Sequence, residues 1–218
     1  MSDSRMSGFS ADGSGQLSSP FPVETTQKRL PMMCADEIDT LTARYGRPVH
    51  RLYNVLADEY IYSYRWRKET DRRAEVVFAI QDESGRIWVH AKPHYPMHIY
   101  RLPSGGIHLD ESVEDALYRE VYEETGLNVR IKRFLGLIEY RFYRGISTAK
   151  FASYVFHLYS DGGFPVMHEG EQILEFRAIL PSQISQLAVD LRNLIGDRRG
   201  WGQWRALVHD LVDDYLSS

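Results

Sequence analysis

The stretch from Gly105 to Leu127, GGIHLDESVEDALYREVYEETGL, constrains this chain more than any other. Ser112 stands just before the first apolar position, Val113, and can cap a helix. Glu114 and Asp115 suit the positive end of that helix's dipole. Gly126 supplies a left-handed exit, so the spacing predicts a helix from about 112 to 125. Val113, Ala116, Leu117 and Val121 fall at helical spacing and form a stripe that can pack on a sheet. Glu120, Glu123 and Glu124 are related by i,i+3 and i,i+4 and share one face. Like charges at that spacing repel, and a divalent cation that prefers oxygen ligands, Mg²⁺ or Mn²⁺, relieves the repulsion. Arg119 lies four residues before Glu123 and eight after Glu111, within reach of a bidentate pair with a carboxylate. Taken alone, three glutamates on a helix more often mark a solvated face than a site.

The whole stretch changes that balance. Gly105, Glu111, Arg119, Glu120, Val121, Glu123, Glu124, Gly126 and Leu127 occupy every defined position of the Nudix box, nine fixed positions over 23 residues. The chain therefore resembles the Nudix hydrolase superfamily. The resemblance implies an α/β (α+β) fold, an α/β/α sandwich with a mixed β-sheet; the order of elements alone gives only a single α+β or mixed α/β domain. It also implies a Mg²⁺ or Mn²⁺ site built from Glu120, Glu123, Glu124 and the backbone carbonyl of Ser104, the residue before the box glycine. Glu123, Arg119 and Glu111 are the candidate catalytic residues, with Arg119 orienting Glu123 or Glu111, and Glu111 pinning the loop to the helix. Arg101, Gly105 and Gly106 are candidates for substrate contact, with Pro103 and the glycine pair suiting a tight turn. In some family members a glutamate on a later loop completes the metal site or acts as base, which makes Glu169 and Glu171 candidates here. Many relatives have Glu where His108 stands and Gly where Asp110 stands, which leaves the number of metals open.

The implied activity is metal-dependent hydrolysis of a phosphoanhydride in a nucleoside diphosphate linked to another group, such as a nucleotide sugar, ADP-ribose, a dinucleotide or a nucleoside triphosphate. The alternative is a non-catalytic Nudix-fold module that binds a nucleotide and regulates, although a pure binder has no need of three such glutamates. The isopentenyl-diphosphate isomerase branch of the fold would need a reactive cysteine in the site. Cys34, the one cysteine, falls instead at the start of a predicted N-terminal helix.

The rest of the chain is read around the box. Its 218 residues, 43% apolar and 26% charged, suffice for one core with elaborations. A formal net charge of −4 gives no case for bulk nucleic-acid binding. The single cysteine fits a reducing compartment, and no apolar run has the length of a membrane span, so the expectation is a cytoplasmic protein. Residues 1–30, rich in Ser and Gly, read as a tail. Residues 31–70 read as a helix-and-strand extension, 71–182 as the hydrolase core and 183–218 as C-terminal helices packed on it. Ala35 to Tyr45 reads as a helix. Tyr60, Tyr62, Tyr64 and Trp66 share one parity, and Arg65 and Arg67 the other, which predicts a strand whose aromatic row packs on a helix or stacks on a nucleobase while the arginines hold phosphates. Residues 74–92 read as a hairpin turning at Glu83-Ser84-Gly85. The loop at 93–100 carries His94, Tyr95, His98 and Tyr100, candidates to line the site. Strands follow at 128–143, with a kink at Gly136, at 150–160 and at 173–180, then a helix opening at Pro181-Ser182 and another at about 201–216. By family analogy a homodimer is consistent with the exposed helix pair.

Overall fold

The computed structural model describes residues 29–67, 72–96, 99–168, 170 and 172–218. The expected tail lies, up to residue 28, outside the described residues, as do Glu169, Glu171 and His98.

The centre of the molecule is β2 (Arg72–Gln81). It runs parallel to β6 (Ser147–Ser160) on one side and antiparallel to both β4 (Ser104–His108) and β3 (Ile87–Ala91) on the other. β6 is hairpinned to β5 (Val129–Arg144), and β5 carries β1 (Val49–Leu56) in parallel at one edge, while β7 (Glu175–Ile179) pairs with β3 at the other. The result is a mixed seven-stranded sheet in the order β1-β5-β6-β2-β3-β7, with β4 beside β2.

Both faces of β2 are covered, so it is an almost unbroken buried run rather than an alternation of apolar and polar residues. Val76, Phe78 and Ile80 face α1 (Ala35–Tyr45) and α3 (Val113–Thr125), where Leu41, Val113, Ala116, Leu117 and Val121 complete one core. Val77 and Ala79 face α2 (Glu59–Arg65), α4 (Ile184–Arg192) and α5 (Arg199–Leu216), whose Ile61, Ile184, Leu191, Trp204 and Leu211 complete the other. This is the α/β/α sandwich with a mixed sheet.

α3 forms where the sequence places it. The Ser112 hydroxyl accepts the Asp115 N–H at 3.1 Å, and Gly126, at φ 66°, closes the helix with its N–H donated to Tyr122. The kink at Gly136 is also present: the β5–β6 register shifts there, and a Cβ on Gly136 would lie 2.4 Å from Leu211 of α5. The glycine lets α5 settle onto the sheet. Pro181–Gln183 make a 3₁₀ turn that leads into α4.

Two expectations are corrected. Glu59–Arg65 is a helix, not a strand. Asp58 caps it, its carboxylate accepting the Ile61 N–H at 2.9 Å and the Gly200 N–H of α5 at 2.8 Å. The alternating aromatics imitate a strand, but fully buried Ile61 is the residue that docks the helix, and Tyr62 meets Trp66 one turn on, with ring centroids 5.1 Å apart. The glycine pair lies in strand β4, not in a tight turn. None of the described helices is long and apolar enough to cross a membrane.

The packing carries a pH signature. His209, buried on α5, accepts the Leu102 N–H at Nε2 (3.0 Å) and meets the Arg205 carbonyl at Nδ1 (2.8 Å). Burial pushes its pKa down to about 3, and burial pushes that of His157 on β6 down to about 4. Between those values and the ordinary 6.5, the unfolded chain binds protons that the folded chain refuses. The part of the stability linked to these two histidines is therefore full above pH 6.5 and falls as the pH drops, by about 1.4 kcal/mol per pH unit for each group. A melting-temperature profile from pH 8 to 4 checks this: a plateau is expected above 6.5 and a descending acid limb below. His209→Gln flattens that limb while lowering stability at pH 7.5.

Candidate active site

The box residues assemble at the edge of β4, where α3 lies against it. Gly105 is required by proximity: a Cβ there would sit 1.8 Å from Cδ of Glu120. With no side chain in the way, the Glu120 carboxylate reaches the backbone and accepts the Gly106 N–H at 2.9 Å. Glu111 sits in the turn before α3 and accepts the His108 N–H at 3.1 Å.

Arg119 gathers these parts. It grips Glu111 with two parallel bonds, from Nε at 2.7 Å and Nη2 at 2.8 Å. Nη1 reaches Glu120 at 2.8 Å and Glu123 at 2.9 Å, and Nη2 also donates to the Gly106 carbonyl at 2.8 Å. Against the upward pull of burial, the Arg119 bonds hold the Glu111 carboxyl below its ordinary range. Glu120 goes the other way: burial outweighs Arg119 and raises its pKa, with the neighbouring charge of Glu123 adding to the rise.

Glu124 faces a different neighbour. Its residue is only 2% exposed, whereas the Glu123 side chain is 46% exposed. Oε1 accepts from Lys92 Nζ at 2.8 Å; Oε2 is buried with no hydrogen-bond partner, and His90 Nδ1 stands 3.9 Å from it. Burial pushes the Glu124 carboxyl up to about 7 even with Lys92 beside it. Lys92 and His90 were not anticipated from the sequence. The available signal was a histidine and a lysine at matching parity in the otherwise apolar run IWVHAK.

Ser104 is buried, and its hydroxyl accepts from Arg101 Nη1 at 2.8 Å. Arg101 is itself 8% exposed and also donates to the Tyr95 hydroxyl and the Leu102 carbonyl, so its guanidinium stands behind Ser104. Tyr100 pairs with Glu175 and Arg177, and the His94 ring lies edge-on to Tyr95.

With the carboxylates turned onto Arg119 and Lys92, no three His, Cys, Asp or Glu side chains among the described residues stand together so as to hold a metal ion. The chemistry of the donors nevertheless fits a hard divalent cation. They are oxygens only, one is a buried carboxylate oxygen without a partner, and two have carboxyl pKa values raised by burial, a cost that a cation offsets. Gly105→Ala tests the packing. It displaces Glu120 and costs about 1–3 kcal/mol, as overpacking does, read as a lower urea midpoint with an unchanged slope.

Residues 70–197 match the family model of the NUDIX domain. The chain is 41% identical over 68 residues to an RNA pyrophosphohydrolase of Hamiltonella defensa subsp. Acyrthosiphon pisum (strain 5AT), covering 31% of this chain and 40% of that protein. It is 27% identical over 110 residues to Nudix hydrolase 21, chloroplastic, of Arabidopsis thaliana, covering 49% of each. The alignments thus span less than half the length of these curated relatives. Among solved structures, a NUDIX hydrolase from Nitrosomonas europaea is similar with a TM-score of 0.46 and 17% identity, covering 66% of this chain and 88% of that one. An ADP-ribose pyrophosphatase from Streptococcus suis is similar with a TM-score of 0.42 and 18% identity, covering 68% and 94%. The match to the NUDIX domain covers more than half of the sequence, and the chain belongs to the Nudix family.

Proposed function

We propose that the chain is a divalent-metal-dependent pyrophosphohydrolase that cleaves a phosphoanhydride bond in a nucleoside diphosphate linked to another moiety. The observation that carries this reading is the pair Glu120 and Glu124, two largely buried carboxylates one turn apart on α3 whose pKa values burial raises. Such charges are costly in a resting fold and useful in a cation site. The relatives named RNA pyrophosphohydrolase support pyrophosphate chemistry.

In this reading Glu120, Glu124, Glu123 and the Ser104 carbonyl hold Mg²⁺ or Mn²⁺. The ion supplies positive charge against the phosphate oxygens and acidifies water. Glu123, the most exposed of the three glutamates and held by Arg119, takes the proton from the attacking water; Glu169 and Glu171 are the other candidates for that role. Arg119 and Glu111 are positioning residues: their bidentate pair ties the loop after β4 to the helix that carries the ligands. Gly105 and Gly106, the candidates for substrate contact, keep the strand bare beside the carboxylates: the space of a side chain is taken by Glu120 at Gly105 and by Arg72 at Gly106. A second reading, a nucleotide-binding module without turnover, is favoured by one observation: the glutamates are already ion-paired to Arg119 and Lys92.

Phosphate release with added phosphatase, from a panel of nucleotides, nucleotide sugars and dinucleotides at several Mg²⁺ and Mn²⁺ concentrations, separates the two. Metal-dependent turnover lost in Glu124→Gln is expected. A blank panel with nucleotide binding retained selects the module. Glu123→Gln lowers kcat by about 10²–10⁴-fold at saturating metal if Glu123 is the base; if a loop glutamate serves, the loss is one of metal affinity and is restored by raising Mg²⁺.

Stability moves oppositely to activity. Because the folded pKa of Glu124 is raised, the stabilisation linked to it is present below the unfolded value of 4.5 and is lost as the pH rises through about 7. In chelator at pH 8, the melting temperature of Glu124→Gln is therefore expected to equal or exceed that of the unsubstituted protein, with the difference shrinking toward pH 5.

A further inference from the structure

His90 of β3 is fully buried beside Glu124, and the proposed chemistry gives it no part. Neither of its ring nitrogens has a hydrogen-bond partner among the described residues. Burying a polar ring unpaired is costly, so its presence calls for a reason. The ring is held between aromatic neighbours: Tyr95 lies edge-on with centroids 6.2 Å apart, and Phe176 of β7 lies tilted at 6.4 Å. Burial, with the charges of Arg101, Lys92 and His94, holds its pKa well below the ordinary value. The ring is therefore neutral and carries one N–H and one lone pair.

Two unpaired atoms face each other here. Nδ1 of His90 stands 3.9 Å from Oε2 of Glu124, and both are buried. That is longer than a hydrogen bond, about 2.7–3.2 Å, and shorter than a bridging water allows, since its two partners stand about 4.5 Å apart. A carboxylate turning about its last bond closes the difference of about 1 Å. The other oxygen, Oε1, is held by Lys92 at 2.8 Å. One anchor leaves a carboxylate free to pivot; a second selects which oxygen is presented.

The backbone of His90 is fixed on both sides. It pairs with Phe176 in the β3–β7 ladder and exchanges two bonds with Arg101, at 3.0 and 3.1 Å. Arg101 in turn donates to the Ser104 hydroxyl at 2.8 Å. His90 thus meets both carriers of the proposed ligands. Its backbone holds the segment that leads to Ser104, and its ring faces the helix that carries Glu124.

We propose that His90 is a positioning residue of the cation site: its Nδ1–H donates to Oε2 of Glu124 and so fixes Oε1 as the oxygen presented to the ion. This rests on the reading of Glu124 as a metal ligand.

The test is Mn²⁺ affinity without substrate, read by electron paramagnetic resonance of the unbound ion at pH 7.5, beside the melting temperature in chelator. His90→Phe keeps a ring and removes the N–H, and is expected to weaken Mn²⁺ binding by about 10–100-fold. Its melting temperature is expected to be no lower, because two unpaired polar atoms leave the core. An amide nitrogen in His90→Asn can take the place of Nδ1, whereas that in His90→Gln falls near Nε2; Asn is expected to recover affinity and Gln not. In a Glu124→Gln background, His90→Phe is expected to have no further effect, as for two residues acting through one contact. A lower melting temperature with unchanged Mn²⁺ affinity would make His90 purely structural and overturn the proposal, as would an undiminished effect in the Glu124→Gln background. If His90→Phe does not fold, the Asn and Gln pair decides, and equal affinities overturn the proposal. Should the unsubstituted protein and Glu124→Gln bind Mn²⁺ equally, the metal-ligand reading itself fails and takes the proposal with it. If Glu124→Gln alone loses the ion, only the role of His90 falls.

Discussion

The Arg119 guanidinium is the joint on which the site depends. It touches the loop through Glu111, the strand through the Gly106 carbonyl and its own helix through Glu120 and Glu123. A guanidinium suits this position because its charge does not titrate and its planar donors reach several acceptors at once. Without it, three carboxylates would repel within a few ångströms, and the helix would keep its apolar stripe and the Glu120–Gly106 bond but lose its tie to the loop at Glu111. A lysine there could supply the charge but not the simultaneous fork to Glu111.

A second buried cation pattern lies across the sheet. Glu75 of β2 is held by Arg205 of α5 at 2.7 and 2.9 Å and by the Ser153 hydroxyl at 2.6 Å. Burial alone would raise that carboxyl, but the Arg205 charge wins and lowers it. The contrast with Glu124 is instructive. Both glutamates are almost fully buried and both have a cationic neighbour, yet one is satisfied and the other keeps an oxygen without a partner. The satisfied pair ties α5 to the central strand, and the unsatisfied one belongs to the end of the sheet where chemistry is proposed.

What the sequence made legible was local. The box helix could be drawn to within a residue because its cap, its dipole and its exit glycine all lie inside one short window. The hairpin and the two long strands could be drawn for the same reason. The glycine pair was misread because the need for Gly105 comes from Glu120, fifteen residues away, and not from its own backbone conformation. Helix α2 was misread because alternating tyrosines satisfy a strand template, while the residue that fixes its start, Asp58, takes half of its role from Gly200 in α5. Lys92 escaped notice because its partner is 32 residues further on. Side chains whose partners are set by the sheet cannot be recognised before the sheet is known.

The strand order has a consequence for how the chain is made. β1 and β2 leave the ribosome early, yet both pair in parallel with members of the β5–β6 hairpin, which is synthesised much later. Until that hairpin closes around Gly145, neither early strand has its parallel neighbour, and β2 has only β3 and β4 to pair with. The parallel half of the sheet therefore waits for the hairpin, which is the template that β1 and β2 share.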